Sequence, residues 1–327
     1  MNILVTGGAG YIGSHTVHAL LAQKPTWNIV VVDNFSTGHL ASLPKGIDFY
    51  HLDIQNQTEL ERLMQKKNVD AVIHFAASSQ VGESVTKPLD YYENNLSGTL
   101  SLLNAMVNSN VKHIVFSSTA AVYGNPKSQA ITEDADTLPE NPYGATKLAM
   151  EQMIYWTGKA HDIRHVALRY FNAAGAHPSG DIGEAHNPET HLIPLVLQVA
   201  SGKREKISIF GDDYPTKDGT AVRDYIHVVD LADAHILALD YLINNGESTH
   251  FNLGNGVGFT VKEVIETARH VSGHPIPAEI SARRVGDPAI LIASSKKAHE
   301  MLGWNPQYAD LTRIISDAWR WHSNEKF

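Results

Sequence analysis

The stretch Asn2-Ile3-Leu4-Val5-Thr6-Gly7-Gly8-Ala9-Gly10-Tyr11-Ile12-Gly13 passes from a compact apolar run, through a glycine cluster, into a helical pattern over 12–22. Gly8, Gly10 and Gly13 fit G-x-G-x-x-G between a predicted strand and a predicted helix, which is the context that motif requires. Glycines there allow a tight turn, close backbone approach to a pyrophosphate and close packing of helix on strand. The unpaired amides and dipole of the helix N-terminus favour phosphate. The next strand-like run ends in Asp33, twenty residues beyond Gly13. An acid at that position hydrogen-bonds an adenosine ribose and repels a 2′-phosphate, so the expected cofactor is NAD rather than NADP. The bland alternative is that Asp33 only opens a turn with Asn34.

Outward from this motif, short β-rich runs alternate with helical patterns. Residues 3–5, 29–32, 71–75, 114–116 and 165–168 are largely apolar and β-branched, as strands buried on both faces are. Helical stretches lie at 12–22, 59–66, 91–107 and 143–156. The alternation predicts an α/β fold: a Rossmann-type doubly wound parallel sheet, joined to a smaller mixed α/β substrate-binding domain. Residues 172–190 read as a long site-lining loop, followed by a helix near 193–201, a strand at 207–210 and a helix at 230–242. The expected division assigns 1–172, plus a returning segment near 224–250, to NAD binding. Residues 173–223 and 251–327 are left for the substrate.

The chain has 327 residues, 43% of them apolar and 19% charged, an ordinary composition for a soluble globular protein. A net charge of −9 without basic runs argues against nucleic acid or an anionic membrane as partner. The absence of cysteine excludes disulfides, cysteine nucleophiles and thiolate metal sites, and fits a reducing cytoplasm. The first residues enter a strand directly, without a signal-peptide pattern, and no apolar run is long enough for a bilayer. A cytoplasmic, soluble protein is the expectation.

Tyr143 and Lys147 carry the chemistry. Four apart on a helix, they share one face, which predicts an ammonium close to the phenol. A free tyrosine titrates near about 10, too high for a base at neutral pH, and a nearby cation lowers that value. The pair suggests a base that takes a proton from an alcohol while the cofactor takes a hydride. Upstream, Ser117-Ser118-Thr119-Ala120-Ala121-Val122-Tyr123-Gly124 follows a predicted strand, putting hydroxyls at the sheet edge that faces a ligand crevice. Asp53 follows the third strand-like run and Asn95 lies in the helix after the fourth. Each reads equally as a cofactor contact or as a cap.

With Thr6–Gly13, His74-Phe75-Ala76-Ala77 and Tyr143–Lys147, these motifs resemble the extended short-chain dehydrogenase/reductases, and within them the family of UDP-glucose 4-epimerases (UDP-galactose 4-epimerases). Val81-Gly82-Glu83-Ser84, Arg169-Tyr170-Phe171-Asn172, Gly175-Ala176-His177-Pro178-Ser179-Gly180, Val222-Arg223-Asp224-Tyr225-Ile226-His227-Val228, Arg283-Arg284 and Gly286-Asp287 extend the resemblance over essentially the whole chain. It implies Tyr143 as catalytic base and acid, Lys147 on the nicotinamide ribose and Thr119 on the sugar 4-hydroxyl. It implies a cofactor surface of Gly7, Gly10, Tyr11, Ile12, Gly13, Asp33, Asn34, Asp53, Ile54, Phe75, Ala76, Asn95, Lys147 and Tyr170. Asn172, Arg223 and Arg284 would hold the UDP, with Phe171, Leu192 and Phe210 nearby and Asp287 on the uridine ribose. Two guanidinium forks suit a diphosphate; the competing reading makes them ion-pair partners of Asp224 or Asp287.

The implied reaction is NAD-dependent epimerisation at C4 of UDP-hexoses through a transient 4-keto sugar that turns over in the pocket. Leu291 stands where a bulky tyrosine marks glucose-only members and a small residue marks those accepting N-acetylhexosamines, so these larger sugars stay open as substrates. Ser79 and His191 depart from members carrying lysine and asparagine there, and receive no role. The resemblance also implies a homodimer paired through the helices at 91–107 and 143–156. A 4,6-dehydratase would need an Asp-Glu pair where Ala120-Ala121 stand. A UDP-glucuronate decarboxylase and a non-catalytic NAD sensor are the remaining alternatives. Eighteen histidines show no metalloprotease-like spacing, so no metal is expected, and His177, His186 and His191 read as polar loop residues.

Overall fold

The computed structural model describes residues 1–126, 130–284 and 287–327; Gly286 of the quoted motif lies outside them. Six strands come first: β1 (Asn2–Thr6), β2 (Asn28–Asp33), β3 (Asp48–His51), β4 (Ala71–His74), β5 (His113–Thr119) and β6 (Arg164–Tyr170). Then come β7 (Asn172–Ala174), β8 (Ile207–Phe210), β9 (Val222–His227), β10 (Thr249–Leu253), β11 (Gly258–Thr260), β12 (Ala278–Ser281) and β13 (Ile290–Leu291). The helices in the first half are α1 (Tyr11–Gln23), α2 (Gln57–Lys67), α3 (Val81–Thr86), α4 (Pro88–Tyr92), α5 (Gly98–Asn108) and α6 (Pro142–His161). Those in the second are α7 (Leu192–Ala200), α8 (Val228–Ile243), α9 (Val261–Ser272), α10 (Lys296–Leu302) and α11 (Leu311–His322).

Seven parallel strands form the main sheet, in the order β10-β6-β5-β4-β1-β2-β3. The strand order reverses between β1 and β4, which creates the crevice at their C-terminal ends where ligands of such sheets bind. One face packs on α1 and α8, which touch each other, through Val17, Leu20, Leu231, Leu239 and the odd-numbered side of β1. The other packs on α2, α5 and α6 through Leu60, Met64, Leu102, Met106 and Met150. Strand side chains alternate between faces. Apolar runs without polar interruption are therefore what a sheet covered on both sides requires.

β10 arrives late in the chain and pairs with β6 from Thr249 to Leu253, so the division expected after residue 250 cuts through a strand of the main sheet. The helix expected over 91–107 is present, with a wider turn inside it. α4 ends at Tyr92, a wider π-type turn occupies Glu93–Ser97, and α5 begins at Gly98. Asn94 and Asn95 both direct their amides at Ser78 across this turn, and a Cβ on Gly98 would lie 2.9 Å from Ile54 Cδ1. Such bulges re-aim side chains at functional positions.

A second body is built on β9, which pairs with β7, β11 and β13, beside the two-stranded β8–β12 sheet. Its core joins α7, α9 and α11 through Val196, Leu197, Val264, Ile314 and Ile315.

Candidate active site

Backbone, rather than side chains, shapes the first part of the crevice. Gly7 has φ +70°, and a Cβ there would stand 2.6 Å from Ala76 N. A Cβ on Gly13 would stand 2.2 Å from Gly7 O. Helix α1 starts at Tyr11 behind Gly10, which supplies no side-chain cap, so its first amides are left for an anion. The Asp33 carboxylate accepts from Ala9 N at 2.9 Å and from Phe35 N at 2.8 Å, and burial pushes its pKa up. It thus both makes the turn after β2 and ties that turn to the glycine loop. Asn34 donates to Asp53 at 2.9 Å, and Ile54 is buried against Gly98. Ile12 packs on the first core, and the Phe75 ring lies 4.6 Å from that of His235. Tyr11 reaches away from its helix to donate to Gly175 O at 2.6 Å. A close, side-chain-free cradle ending on open helix amides fits a dinucleotide pyrophosphate.

Asn95 is fully engaged by the protein. It accepts from Ser78 N at 2.7 Å and donates to Ser78 O at 3.2 Å and Thr146 Oγ1 at 3.0 Å. Its evident work is to fasten the loop after β4 to α6.

The reacting residues converge where β5 meets α6. Thr119 ends β5 and accepts from Ala121 N at 3.1 Å. Asn141 caps α6 by accepting from Gly144 N at 2.9 Å, and Pro142 takes the first position, where its missing N–H costs nothing. The next turns bury Tyr143, Thr146 and Lys147 together. Burial pushes the Tyr143 phenol up to about 12, opposed by its hydrogen bond with Thr119. Tyr170 bonds its hydroxyl to Ser117 Oγ.

Lys147 is fastened to the end of β5. Its ammonium donates to Ser117 O at 2.9 Å and lies 4.9 Å from the centre of the Phe116 ring. Burial brings its pKa down to about 7, with Glu151 opposing. A shared helical face aligns the Cβ atoms, but the long lysine stem carries its charge to the sheet edge. In the protein alone, burial is the main influence on the phenol.

Beneath Thr119 lies a network that sequence reasoning missed. Arg169 clasps Glu151 through two bonds of 2.9 and 2.6 Å, and donates to Tyr123 OH at 3.0 Å. Glu151 also accepts from Ser118 Oγ at 2.5 Å, and Tyr123 donates to Asn252 Oδ1 at 2.7 Å. The signal was present as an acid four residues after Lys147 and an arginine directly after the apolar run Val166–Leu168 of β6.

Across the crevice, β9 and β13 bring the second set together. Asn172 donates to Asp224 O at 2.9 Å. Arg223 and Arg284 both meet the Asp287 carboxylate, Arg284 at 3.4 Å, and Arg284 also covers the Phe210 ring at 4.8 Å. Asp224 is instead buried, accepting from the backbone N–H groups of Asn255, Gly256 and Ala293, and burial pushes it up to about 6. Phe171 and Leu291 pack with Val122 and Tyr123 against the segment that follows Thr119. Leu192 opens α7.

Residues 3–254 match the model of the NAD dependent epimerase/dehydratase family. The chain belongs to that family. It is 58% identical over 322 residues to a UDP-glucose 4-epimerase of Halalkalibacterium halodurans, covering 98% of this chain and 96% of the relative. The structure of UDP-glucose 4-epimerase from Brucella ovis in complex with NAD superposes with TM-score 0.94 at 46% identity, covering 97% of each chain. That from Bifidobacterium longum in complex with NAD+ and UDP gives 0.93 at 41%, covering 99% of each.

One grouping in this member of the epimerase/dehydratase family draws together residues read above as polar loop residues. Glu184, His186, Glu189 and His191, in the loop between β7 and α7, bring a ligand atom each within 4.8 Å of one another. His177 is not among them; its ring faces His15 and His18 at 6.4 Å. The overlooked signal was Glu-x-His-x-x-Glu-x-His.

Proposed function

We propose that this chain interconverts UDP-galactose and UDP-glucose by NAD-dependent inversion at C4 through a transient 4-keto sugar. The observation that carries the reading is Tyr143, buried beside Thr119 at the end of β5 and on the same helical face as Lys147. Tyr143 takes the proton of the 4-hydroxyl and later returns it, while Thr119 orients that hydroxyl. Lys147, anchored on Ser117 O, holds the cofactor ribose. Bound NAD supplies a reversible hydride acceptor and, when oxidised, positive charge that favours the phenolate. Arg223 and Arg284 grip the diphosphate, with Asn172, Phe171, Leu192 and Phe210 around the nucleotide and Asp287 on its ribose. Asp287 holds both guanidinium groups near one another before substrate arrives. A firm diphosphate grip with few polar groups around the hexose lets the sugar turn without leaving. Leu291, in the wall with Phe171, limits the size of the group at C2.

The main sheet, extended to Leu253, serves the cofactor, and the body around β9 serves the UDP-sugar. A homodimer is supported by apolar side chains exposed on α4–α6: Leu89 at 79%, Leu100 at 53% and Trp156 at 68%. Light scattering would detect it, with Leu100→Glu expected to give monomer. Among the described residues no helix is long and apolar enough to cross a membrane. With the absence of cysteine, that supports a cytoplasmic site of action, testable by fractionation.

The deciding experiment incubates purified protein with UDP-galactose, without added NAD, and follows the anomeric signals by NMR. Approach to one UDP-glucose ratio from either substrate is expected. Tyr143→Phe should lower kcat by about 10²–10⁴ while retaining NAD. Absence of interconversion even with NAD supplied would favour a non-catalytic NAD-binding role.

A further inference from the structure

The grouping of Glu184, His186, Glu189 and His191 is absorbed by none of the chemistry above. Both imidazoles turn Nδ1 inward onto one oxygen: His186 at 3.0 Å and His191 at 2.9 Å from Glu184 Oε1. Glu189 closes the set, 2.9 Å from His191 Nδ1 and 3.8 Å from His186 Nδ1. Both carboxylate side chains are only 4% exposed. Four ligands about 2.0–2.2 Å from a zinc ion in a tetrahedron stand about 3.3–3.6 Å apart. The carboxylate–imidazole separations of 2.9–3.8 Å bracket that spacing, and all four ligand atoms lie within 4.8 Å of one another.

Charge and donor type point the same way. In the protein alone Glu184 and Glu189 pair with the imidazoles; once both imidazoles are neutral, as ligands are, the two carboxylates carry two negative charges that are costly to bury unbalanced. One divalent cation balances them. Two nitrogens with two oxygens suit a first-row transition ion such as zinc, whereas calcium and magnesium prefer oxygen-only sets. We propose that Glu184, His186, Glu189 and His191 form a closed, four-coordinate zinc-type site that pins the loop between β7 and α7.

The site lies against the cofactor cradle. The loop's Gly175 O accepts from Tyr11, Ala185 O lies 2.8 Å from His39 Nε2, and Trp321 donates to Glu184 O at 3.0 Å. The His186 ring meets Tyr11 edge-on at 6.3 Å between centres. His191 immediately precedes Leu192, so the ion would fix the start of α7 as well. All four protein ligands leave no open position, which makes the role structural.

The test uses NAD-loaded protein, stripped by chelator and dialysed, then titrated with zinc chloride and, separately, cobalt chloride. One zinc ion per chain surviving dialysis, visible bands of four-coordinate cobalt and a higher urea midpoint with zinc are expected. Glu184→Gln and His186→Asn should each lose stoichiometric binding at least tenfold and show no zinc-dependent shift in midpoint. His186→Asn, at a partly exposed position, covers the case in which Glu184→Gln fails to fold. Zinc retained below a tenth of an equivalent by the parent chain, or His186→Asn binding as tightly as the parent, would overturn the site.

Discussion

Arg169→Met tests whether the network beneath Thr119 holds the reacting strand in place. Arg169 and Glu151 side chains are only 7% and 11% exposed, and their two-pronged contact is backed by Tyr123 and Ser118. Methionine preserves much of the volume but leaves Glu151 buried without its cation. Breaking one side of such a pair costs about 3–5 kcal/mol. Unfolding entropy of about 2.1 cal/mol/K per residue, over 327 residues, gives about 0.7 kcal/mol/K. The midpoint should therefore fall by about 4–7 °C in calorimetry with NAD saturating for parent and variant alike. The double variant Arg169→Met/Glu151→Leu should recover much of that loss, because replacing both charges by apolar groups is often near neutral. Ser118 adjoins Thr119, so kcat should fall in the single variant more than KM changes. A midpoint within 1 °C of the parent, or a double variant less stable than the single one, would refute the assignment.

Gly13→Ala would drive a Cβ to 2.2 Å from Gly7 O, a backbone atom with nowhere to go. Overpacking of about 1–3 kcal/mol felt at the cradle should raise the Kd for NAD roughly 5- to 150-fold by calorimetric titration; an unchanged Kd would remove the cradle argument. His235 is buried and its pKa is lowered to about 4 from 6.5, so the folded chain binds fewer protons than the unfolded one between those values. Its stability contribution is present above about pH 6.5 and is lost as pH falls through that window. His235→Phe should then flatten the slope of urea stability between pH 4.5 and 6 by about 1.4 kcal/mol per pH unit, and an identical slope would count against it. Leu291→Tyr should lower turnover of UDP-N-acetylglucosamine relative to UDP-glucose, and Leu291→Ser should raise it. Equal ratios in coupled assays would take Leu291 out of the pocket wall.

Much of the fold was legible because its signals are local. The apolar strand of 2–6, the glycine turn and the start of α1 follow from steric rules acting within a dozen residues. The four-residue spacing of Tyr143 and Lys147 likewise follows from helix pitch alone. Position within the chain, however, does not determine where a long side chain ends. Lys147 shares a helical face with Tyr143, yet its charge rests on Ser117 O because the edge of β5 offers a buried carbonyl there. The wider turn at Glu93–Ser97 sits where amides reach the loop after β4, and β10 joins β6 from some eighty residues away. Local chemistry by itself determined the strand–glycine–helix entry, the parallel sheet and the residue types able to move a proton. Tertiary structure alone decided that Arg223 and Arg284 share Asp287, that Arg169 and Glu151 hold Ser118 and Tyr123 on either side of Thr119, and that two carboxylates and two imidazoles face one another. Charges are costly to bury singly, so their partners are chosen by whatever the fold brings within reach, and that distance is written in no short stretch of sequence.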